Sequence, residues 1–291
     1  MNSDILSLQN RILSFHFTTR CKAPMANARS PKKTATDPTA SSLYVQSVEK
    51  AMKVLMAFDG SQRQLSLSEI AGLTGMDLSA AQRFTHTLAA LGYLNKDQGK
   101  KYELSPKLLD FTFHYLSSSD LVNRAAPYLQ QLSAETEEAT NLTVMDDTDI
   151  VFVQRIVSRH VFNANVIVGT RLPAWCTAPG LALLATYPDD EVNDIFDRSQ
   201  FVQHTPATIT DRGQVWAHVE QVRQQRFAHV EDQFFYGDVS TAAAILDGSG
   251  RGIGAVNVAV SRSRWVAERD MRRYADLLIS TASSISAKRK A

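Results

Sequence analysis

Between Ser66 and Lys101 the chain carries small, hydrogen-bonding and basic side chains whose types and spacing suit the surface of a nucleic-acid duplex. Ser68, Ser79, Ala80, Gln82, Arg83 and His86 cluster in one short stretch, and Lys100-Lys101 follows in a polar turn. Small residues let a helix sink into a major groove, while Gln82 and Arg83 have donors and acceptors for base edges or phosphates. Lysines in a turn supply phosphate contacts, which give affinity without sequence information. The same residues also fit an ordinary pair of helices with a solvated lysine turn, so the surrounding elements must decide.

Those elements are legible as a scaffold. From Tyr44 the apolar residues recur at helical spacing, Val48, Met52 and Leu55 forming one face of a helix that closes near Phe58 at an Asp59-Gly60 turn. Ser66 followed by Glu69 is a capping box that starts a second, short helix, and Thr74-Gly75 ends it. A third helix is expected over 78–91, with Ala81, Phe84, Leu88 and Leu91 facing inward and the candidate contact residues on the other side. Residues 92–104 then read as two short strands around a polar turn bearing Lys96, Lys100 and Lys101. Two helices across a glycine turn, followed by a hairpin, make a winged helix-turn-helix.

No comparable constellation supports an enzyme, a metal or a cofactor. Gly250-Arg251-Gly252-Ile253-Gly254-Ala255 has the spacing of a dinucleotide fingerprint if alanine is accepted last, yet the next five residues read as strand where that motif needs a helix. A hairpin turn is expected there. His218-Val219-Glu220 opens like a zinc-deaminase signature without the Pro-Cys-x-x-Cys that should follow, and reads as an exposed helix face. His160, His204 and His229 lack His or Cys partners at ligand spacing. Cys176 has no visible His/Asp arrangement to activate it, and Asp189-Asp190-Glu191 reads as an acidic helix start.

The chain has 291 residues, 44% hydrophobic and 21% charged, which is room for about two domains and excludes wholesale disorder. No apolar run approaches the ~18 residues of a membrane span. Two cysteines, Cys21 and Cys176, make no disulfide framework, no leader peptide opens the chain, and a cytoplasmic location is expected. The net charge of +1 conceals a basic front, with 14 Lys and Arg against 9 Asp and Glu in residues 1–118, joined to an acidic body with 14 against 21 in residues 119–286. Lys288, Arg289 and Lys290 return a basic end. Such asymmetry places the anionic partner at the front. Residues 1–43 read as a disordered tail whose Ser/Thr/Pro/Lys stretch cannot bury a core, faintly like a transit peptide at its start, with Met25 as an alternative translation start.

We place the winged domain at 44–106, linker helices at 107–139 and a second domain at 140–291. In the linker, helices are expected at 108–116 and 121–132, with Pro127 bending or beginning one. Strands are expected at 141–145, 150–156 and 161–168, helices at 180–185, 190–196 and 211–227, strands at 228–231, 241–246 and 254–260, and a last helix at 267–286. The fold class is therefore α+β, one sheet with helices on its faces.

These residues resemble the IclR family of bacterial transcriptional regulators over about 250 residues. The front carries Val45-Gln46-Ser47-Val48-Glu49-Lys50-Ala51, Leu67-Ser68-Glu69-Ile70-Ala71, Arg83, Leu88 and Leu91-Gly92-Tyr93; the back carries Val168-Gly169-Thr170-Arg171-Leu172-Pro173 and Gly180 with Leu183-Leu184-Ala185. The resemblance implies a regulator that binds a palindromic promoter in double-stranded DNA as a homodimer or dimer of dimers, a linker helix that helps dimerise, and a C-terminal effector-binding domain of GAF-like fold.

Arg171-Leu172-Pro173-Ala174-Trp175-Cys176-Thr177 and Asp232-Gln233 are similar to members that control protocatechuate and hydroxybenzoate catabolism, which implies an aromatic or short-chain carboxylic acid as effector. Phe234-Phe235-Tyr236 departs from that pattern, as does the lack of a basic residue after Gly180. Carried over position by position, the resemblance places the effector between Cys176, Thr177, Ala178 and Pro179 on one side and Glu231, Ser240, Asn257 and Ala259 on the other. Backbone amides at the helix entrance suit a carboxylate, and Trp175 and Phe234 offer faces for an aromatic ring, though Trp175 fits plain core packing equally well. The alternative from another class is a ligand-binding or interaction module whose winged helix contacts protein instead of DNA.

Overall fold

The computed structural model describes residues 41–60, 62–158, 160 and 166–286. The tail at 1–40 with its alternative start, most of the expected strand at 161–168, and the basic end at 287–291 lie outside the described residues. The chain divides into two compact units, Met1–Thr112 and Phe113–Ala291.

In the first unit the order is α1 (Gln46–Leu55), β1 (Leu65–Ser66), α2 (Leu67–Thr74), α3 (Leu78–Ala90), β2 (Leu94–Lys96) and β3 (Lys101–Leu104). The capping box forms as the sequence requires: the Ser66 hydroxyl accepts from the Glu69 amide, and the Ser66 amide donates to the Glu69 carboxylate at 2.7 Å. Gly75 ends α2 at φ +69°, a left-handed turn that a side chain disfavours. The three strands form an antiparallel sheet in the order β1-β3-β2. Val54, Phe58, Leu65, Ile70, Leu88, Leu94 and Tyr102 make the core.

Two expectations about inward-facing residues fail here. Val48 and Met52 are 60% and 52% exposed, because α1 turns inward the neighbouring stripe that contains Val54 and ends at Phe58. Leu91 is 53% exposed because α3 stops at Ala90 and its inward positions are filled by Ala81, Thr85 and Leu88. Periodicity reports that an apolar face exists, but with two adjacent stripes available packing chooses between them.

A helix α4 (Leu109–Ser118) spans the division between the units, preceded by a 3-10 turn at Pro106–Leu108. The second unit continues with α5 (Asp120–Thr136), β4 (Ala139–Asp146), β5 (Asp149–Ile156), β6 (Arg171–Pro173), a 3-10 turn (Ala174–Cys176), α6 (Ala178–Leu184), α7 (Asp189–Arg198) and α8 (Arg212–Gln225). It closes with β7 (Ala228–Glu231), β8 (Asp238–Leu246), β9 (Gly252–Ser261) and α9 (Ala267–Ile285). Pro127 sits inside α5 and does not begin it; Ser119 does, its hydroxyl accepting from the Val122 amide.

Every neighbouring pair in the six-stranded sheet, β6-β5-β4-β9-β8-β7, is antiparallel. On one face α6, α7 and α8 bury Leu181, Leu183, Val192, Phe196 and Val219 with Trp175. On the other, α5 and α9 bury Leu129, Leu132, Tyr274, Leu278 and Ile285. This helix-sheet-helix sandwich on an antiparallel sheet is the α+β, GAF-like architecture expected of the second domain. Of the expected strand at 161–168, the described Val166 to Val168 form a loop; Gly169 then turns at φ +90°, and β6 takes the sheet edge. The Gly250 stretch is a hairpin between β8 and β9, with Gly250 at φ +91° and the Asp247 carboxylate accepting from the Ser249 and Arg251 amides.

Candidate functional site

Two surfaces carry the candidate residues, one in each unit. In the first, the Asp77 carboxylate accepts from the Ala80 amide at 2.7 Å and fixes the start of α3. Ser79, Gln82, Arg83 and His86 are exposed along that helix, Ser68 is exposed on α2, and Ala80 is half-buried at the α3 N-terminal turn. Lys100 and Lys101 are exposed at the β2-β3 turn, where Asp97 accepts both of their amides. Lys100 itself is left-handed at φ +62°. Lys96 differs, since its ammonium lies 5.3 Å over the Tyr102 ring. Among the described residues Arg83, Lys100 and Lys101 take part in no salt bridge, so their charge is available to an external anion.

The second surface is a cavity between the sheet and the entrance to α6. The structure brings Cys176, Thr177, Ala178, Pro179, Phe234, Ser240, Asn257 and Ala259 together around it. Trp175 and Glu231 stand elsewhere. Trp175 is 2% exposed in the core, its ring 4.8 Å from Phe201 and 6.0 Å from His204. Strand alternation explains Glu231: its neighbour Val230 lines the cavity, so Glu231 points to the opposite face, where it pairs with Arg262 at 2.8 Å.

The sheet contributes a continuous polar line that sequence reasoning did not assemble. Arg155 donates to the Asn141 side-chain oxygen at 3.1 Å, Asn141 donates to Asn257 at 3.2 Å, and Asn257 donates to the Ser240 hydroxyl at 3.0 Å. The register causes this, since Asn141 lies directly opposite both Arg155 and Asn257. Asp238, two residues before Ser240 and hence on the same face, joins Arg155 at the cavity. The signal was an arginine inside the apolar strand Ile150-Val151-Phe152-Val153-Gln154-Arg155-Ile156, a placement that costs free energy unless the charge meets a partner or a ligand.

Facing this line are Ile150, Phe152, Val166, Leu172 and Phe235, an apolar wall. The helix entrance offers fewer donors than expected: α6 has only seven residues, Pro179 has no amide hydrogen, and the Thr177 hydroxyl donates back to the Pro173 carbonyl at 2.9 Å. Among the described residues, Arg155 is the arginine that lines the cavity. Burial pushes the Cys176 thiol far above its ordinary range, which suppresses the thiolate a nucleophile needs. His218 is half-buried rather than exposed, and burial with the nearby His229 lowers its pKa. Among the described residues no cluster of three His, Cys, Asp or Glu side chains is arranged to hold a metal.

A winged helix-turn-helix followed by an antiparallel α+β domain with a cavity is the architecture of a DNA-binding transcriptional regulator. Residues 47–98 match the family described as "IclR helix-turn-helix domain", and residues 113–287 match "Bacterial transcriptional regulator IclR C-terminal". The chain belongs to the IclR family.

It is 31% identical over 243 residues to the Pca regulon regulatory protein of Pseudomonas putida, covering 83% of each chain. It is 28% identical to the p-hydroxybenzoate hydroxylase transcriptional activator of Acinetobacter baylyi, over 83% of this chain and 91% of that one. Among solved structures, a transcriptional regulator from Rhodococcus sp. RHA1 aligns over 83% of this chain and 97% of its own, with a TM-score of 0.73 and 33% identity. An IclR homolog from Microbacterium hydrocarbonoxydans, complexed with 4-hydroxybenzoate, shares the fold over 82% of this chain and 97% of its own, with a TM-score of 0.69 at 19% identity. No helix among the described residues is long and apolar enough to cross a membrane.

Proposed function

We propose that this regulator binds a promoter palindrome as a homodimer or dimer of dimers, and that a small carboxylic acid, aromatic or short-chain, enters the cavity and changes DNA occupancy. One observation carries the acid reading: a guanidinium, Arg155, lines a mostly apolar cavity and is hydrogen-bonded into a line of amides and a hydroxyl. Such a site holds an anionic head and an apolar body together. The aromatic-acid regulators among the relatives, and the 4-hydroxybenzoate bound to the Microbacterium homolog, point the same way. An acid acts only through different affinity for two arrangements of the regulator.

Dimerisation is supported by α4, which buries none of its residues and leaves Leu109, Phe111, Phe113 and Tyr115 each more than half exposed. A second copy of the chain is the natural cover for that surface. The acid reading is tested by thermal unfolding of the full chain with protocatechuate, 4-hydroxybenzoate, benzoate and pyruvate. A ligand that binds the folded state raises its apparent stability; no shift with any of these acids overturns the reading.

The candidate DNA contacts are Ser68, Ser79, Ala80, Gln82, Arg83, His86, Lys100 and Lys101. In a gel-shift titration with the upstream intergenic DNA, Arg83→Ala is expected to weaken binding about tenfold or more, and affinity should fall steeply with salt. Unchanged binding by Arg83→Ala removes the contact assigned to α3. Indifference to all DNA, with a stable protein complex instead, favours the interaction-module alternative.

A further inference from the structure

We propose that Lys107 is a positioning residue for DNA binding: it donates to the C-terminal end of α3 rather than to a phosphate, and with Ser105 and Tyr93 it joins α3 to the first turn of α4 as one body. This rests on the reading of α3 as the helix that meets DNA, and adds to it the residues that hold that helix at a fixed angle.

The end of a helix leaves carbonyls that its own amides cannot reach. At the end of α3, Gly92 is left-handed at φ +82° and the chain closes on itself: the Leu91 amide donates to the Thr87 carbonyl, the Gly92 amide to that of Ala89 and the Tyr93 amide to that of Leu88. The carbonyls of Leu91, Gly92 and Tyr93 are taken instead by residues that follow the wing in the chain. The Lys107 ammonium donates to the Leu91 carbonyl at 2.9 Å, the Ser105 hydroxyl to that of Gly92, and the Ser105 amide to that of Tyr93 at 3.0 Å. Ser105 also starts the 3-10 turn before α4, its hydroxyl accepting from the Lys107 amide at 3.2 Å.

Ring contacts carry the joint into α4. The Lys107 ammonium lies 5.1 Å from the centre of the Tyr93 ring, and Phe111 stacks on the same ring at 5.7 Å with 23° between the planes. Lys107 and Phe111 are four residues apart across the turn and the helix, so they present to one side. Three hydrogen bonds and two ring contacts thus tie 91–93 to 105–111, and a tilt of the first turn of α4 moves α3 with it. Lys107 is exposed and, among the described residues, makes no salt bridge, as is true of Lys100 and Lys101 in the wing. It differs from them in that its charge sits at the negative end of the α3 dipole and beside an aromatic ring. Ser105, 8% exposed, has no charge to offer a phosphate, so its part in the joint is separable from any attraction to DNA.

Gel-shift titrations of the full chain with the upstream intergenic DNA at several salt concentrations test this. Lys107→Met is expected to weaken binding about fivefold and to leave the slope of log affinity against log salt at its wild-type value, since no phosphate contact is lost. Lys100→Met is the control, and should lower that slope by about one for each protomer bound. Lys107→Arg keeps a cationic donor and should restore affinity to within about twofold of wild type. Ser105→Ala should weaken binding in the same salt-independent way. The thermal midpoint of Lys107→Met should stay within a few degrees of wild type, because the side chain lies outside the core. A slope lowered by Lys107→Met as it is by Lys100→Met makes Lys107 a DNA contact and overturns the inference. Unchanged affinity, or a loss that Lys107→Arg does not restore, overturns it too, and a midpoint far below wild type overturns it by assigning Lys107 to stability alone. Failure of the wild type to bind any DNA overturns the DNA-binding reading itself, an outcome distinct from all of these.

Discussion

Gly180→Ala is expected to cost more than 4 kcal/mol of stability in the second unit, lowering its unfolding midpoint by roughly 10 °C or more. Helix propensity alone argues the other way, since alanine in a helix is favoured over glycine by about 1 kcal/mol. The close approach of α6 to the preceding 3-10 turn reverses the sign. A Cβ at Gly180 would meet the Ala174 carbonyl oxygen at 2.1 Å, its Cα at 2.4 Å and its carbonyl carbon at 2.6 Å. All three are backbone atoms, so no side chain can swing aside. Ala174, Trp175 and Cys176 are each at most 2% exposed, so any retreat of the turn disturbs the packed core around it. The helix must then lift off the turn, opening the core cluster around Trp175 and the cavity wall that Cys176 to Pro179 provide. Gly72 in α2 is the control: a Cβ there meets nothing within 4 Å, so Gly72→Ala should be neutral or stabilising by up to about 1 kcal/mol. Urea or thermal unfolding of the two variants beside the wild type decides it. A Gly180→Ala midpoint within a few degrees of wild type would show that the turn yields easily.

The contrast between those glycines also shows what was legible in the sequence. The left-handed stop at Gly75, the capping box at Ser66 and the hairpin at Gly250 are local devices, set by a few adjacent residues, and the structure contains each of them. Gly180 was readable only as a family-like residue, because the backbone it touches is brought there by tertiary packing. The cavity divides in the same way. Cys176 to Pro179 are consecutive and stay together, whereas the line Arg155, Asn141, Asn257 and Ser240 is drawn from four strands and exists only once their register is fixed. Alternation along a strand assigns residues to faces without saying which face meets the cavity, and that is why Glu231 was placed on the wrong side. Trp175 carried two readings, and the stacking against Phe201 and His204 decides for the core.

Asp238 gives the stability of the second unit an unusual pH slope, which Asp238→Asn is expected to remove. Burial raises its carboxyl from an ordinary 3.8 to about 7, with Asp232 adding to the rise and Arg155 opposing it. The folded state therefore holds this proton more tightly than the unfolded chain. Its contribution is fully present below about pH 4 and is lost as pH climbs through 7. Three pH units of difference correspond to about 4 kcal/mol at most, and water reaching the carboxyl through the cavity mouth makes the real figure smaller. Paired carboxylates act in the opposite sense. Arg269 and the Val266 amide hold Asp270 low, and Arg251 holds Glu191 low, so their contributions are lost as pH falls toward their own depressed values. Those groups are common to both proteins and cancel in the difference. Removing the Asp238 charge also leaves Arg155 less well compensated, an offset that does not change between pH 5 and 8 because the guanidinium stays charged throughout. The quantity to measure is therefore the difference in unfolding free energy between Asp238→Asn and wild type at each pH. It should move in favour of the variant by up to about 2.5 kcal/mol between pH 5 and pH 8, the remainder of the effect falling below pH 5. A difference that stays constant over that interval would mean that Asp238 is already ionised at pH 5, with Arg155 outweighing burial.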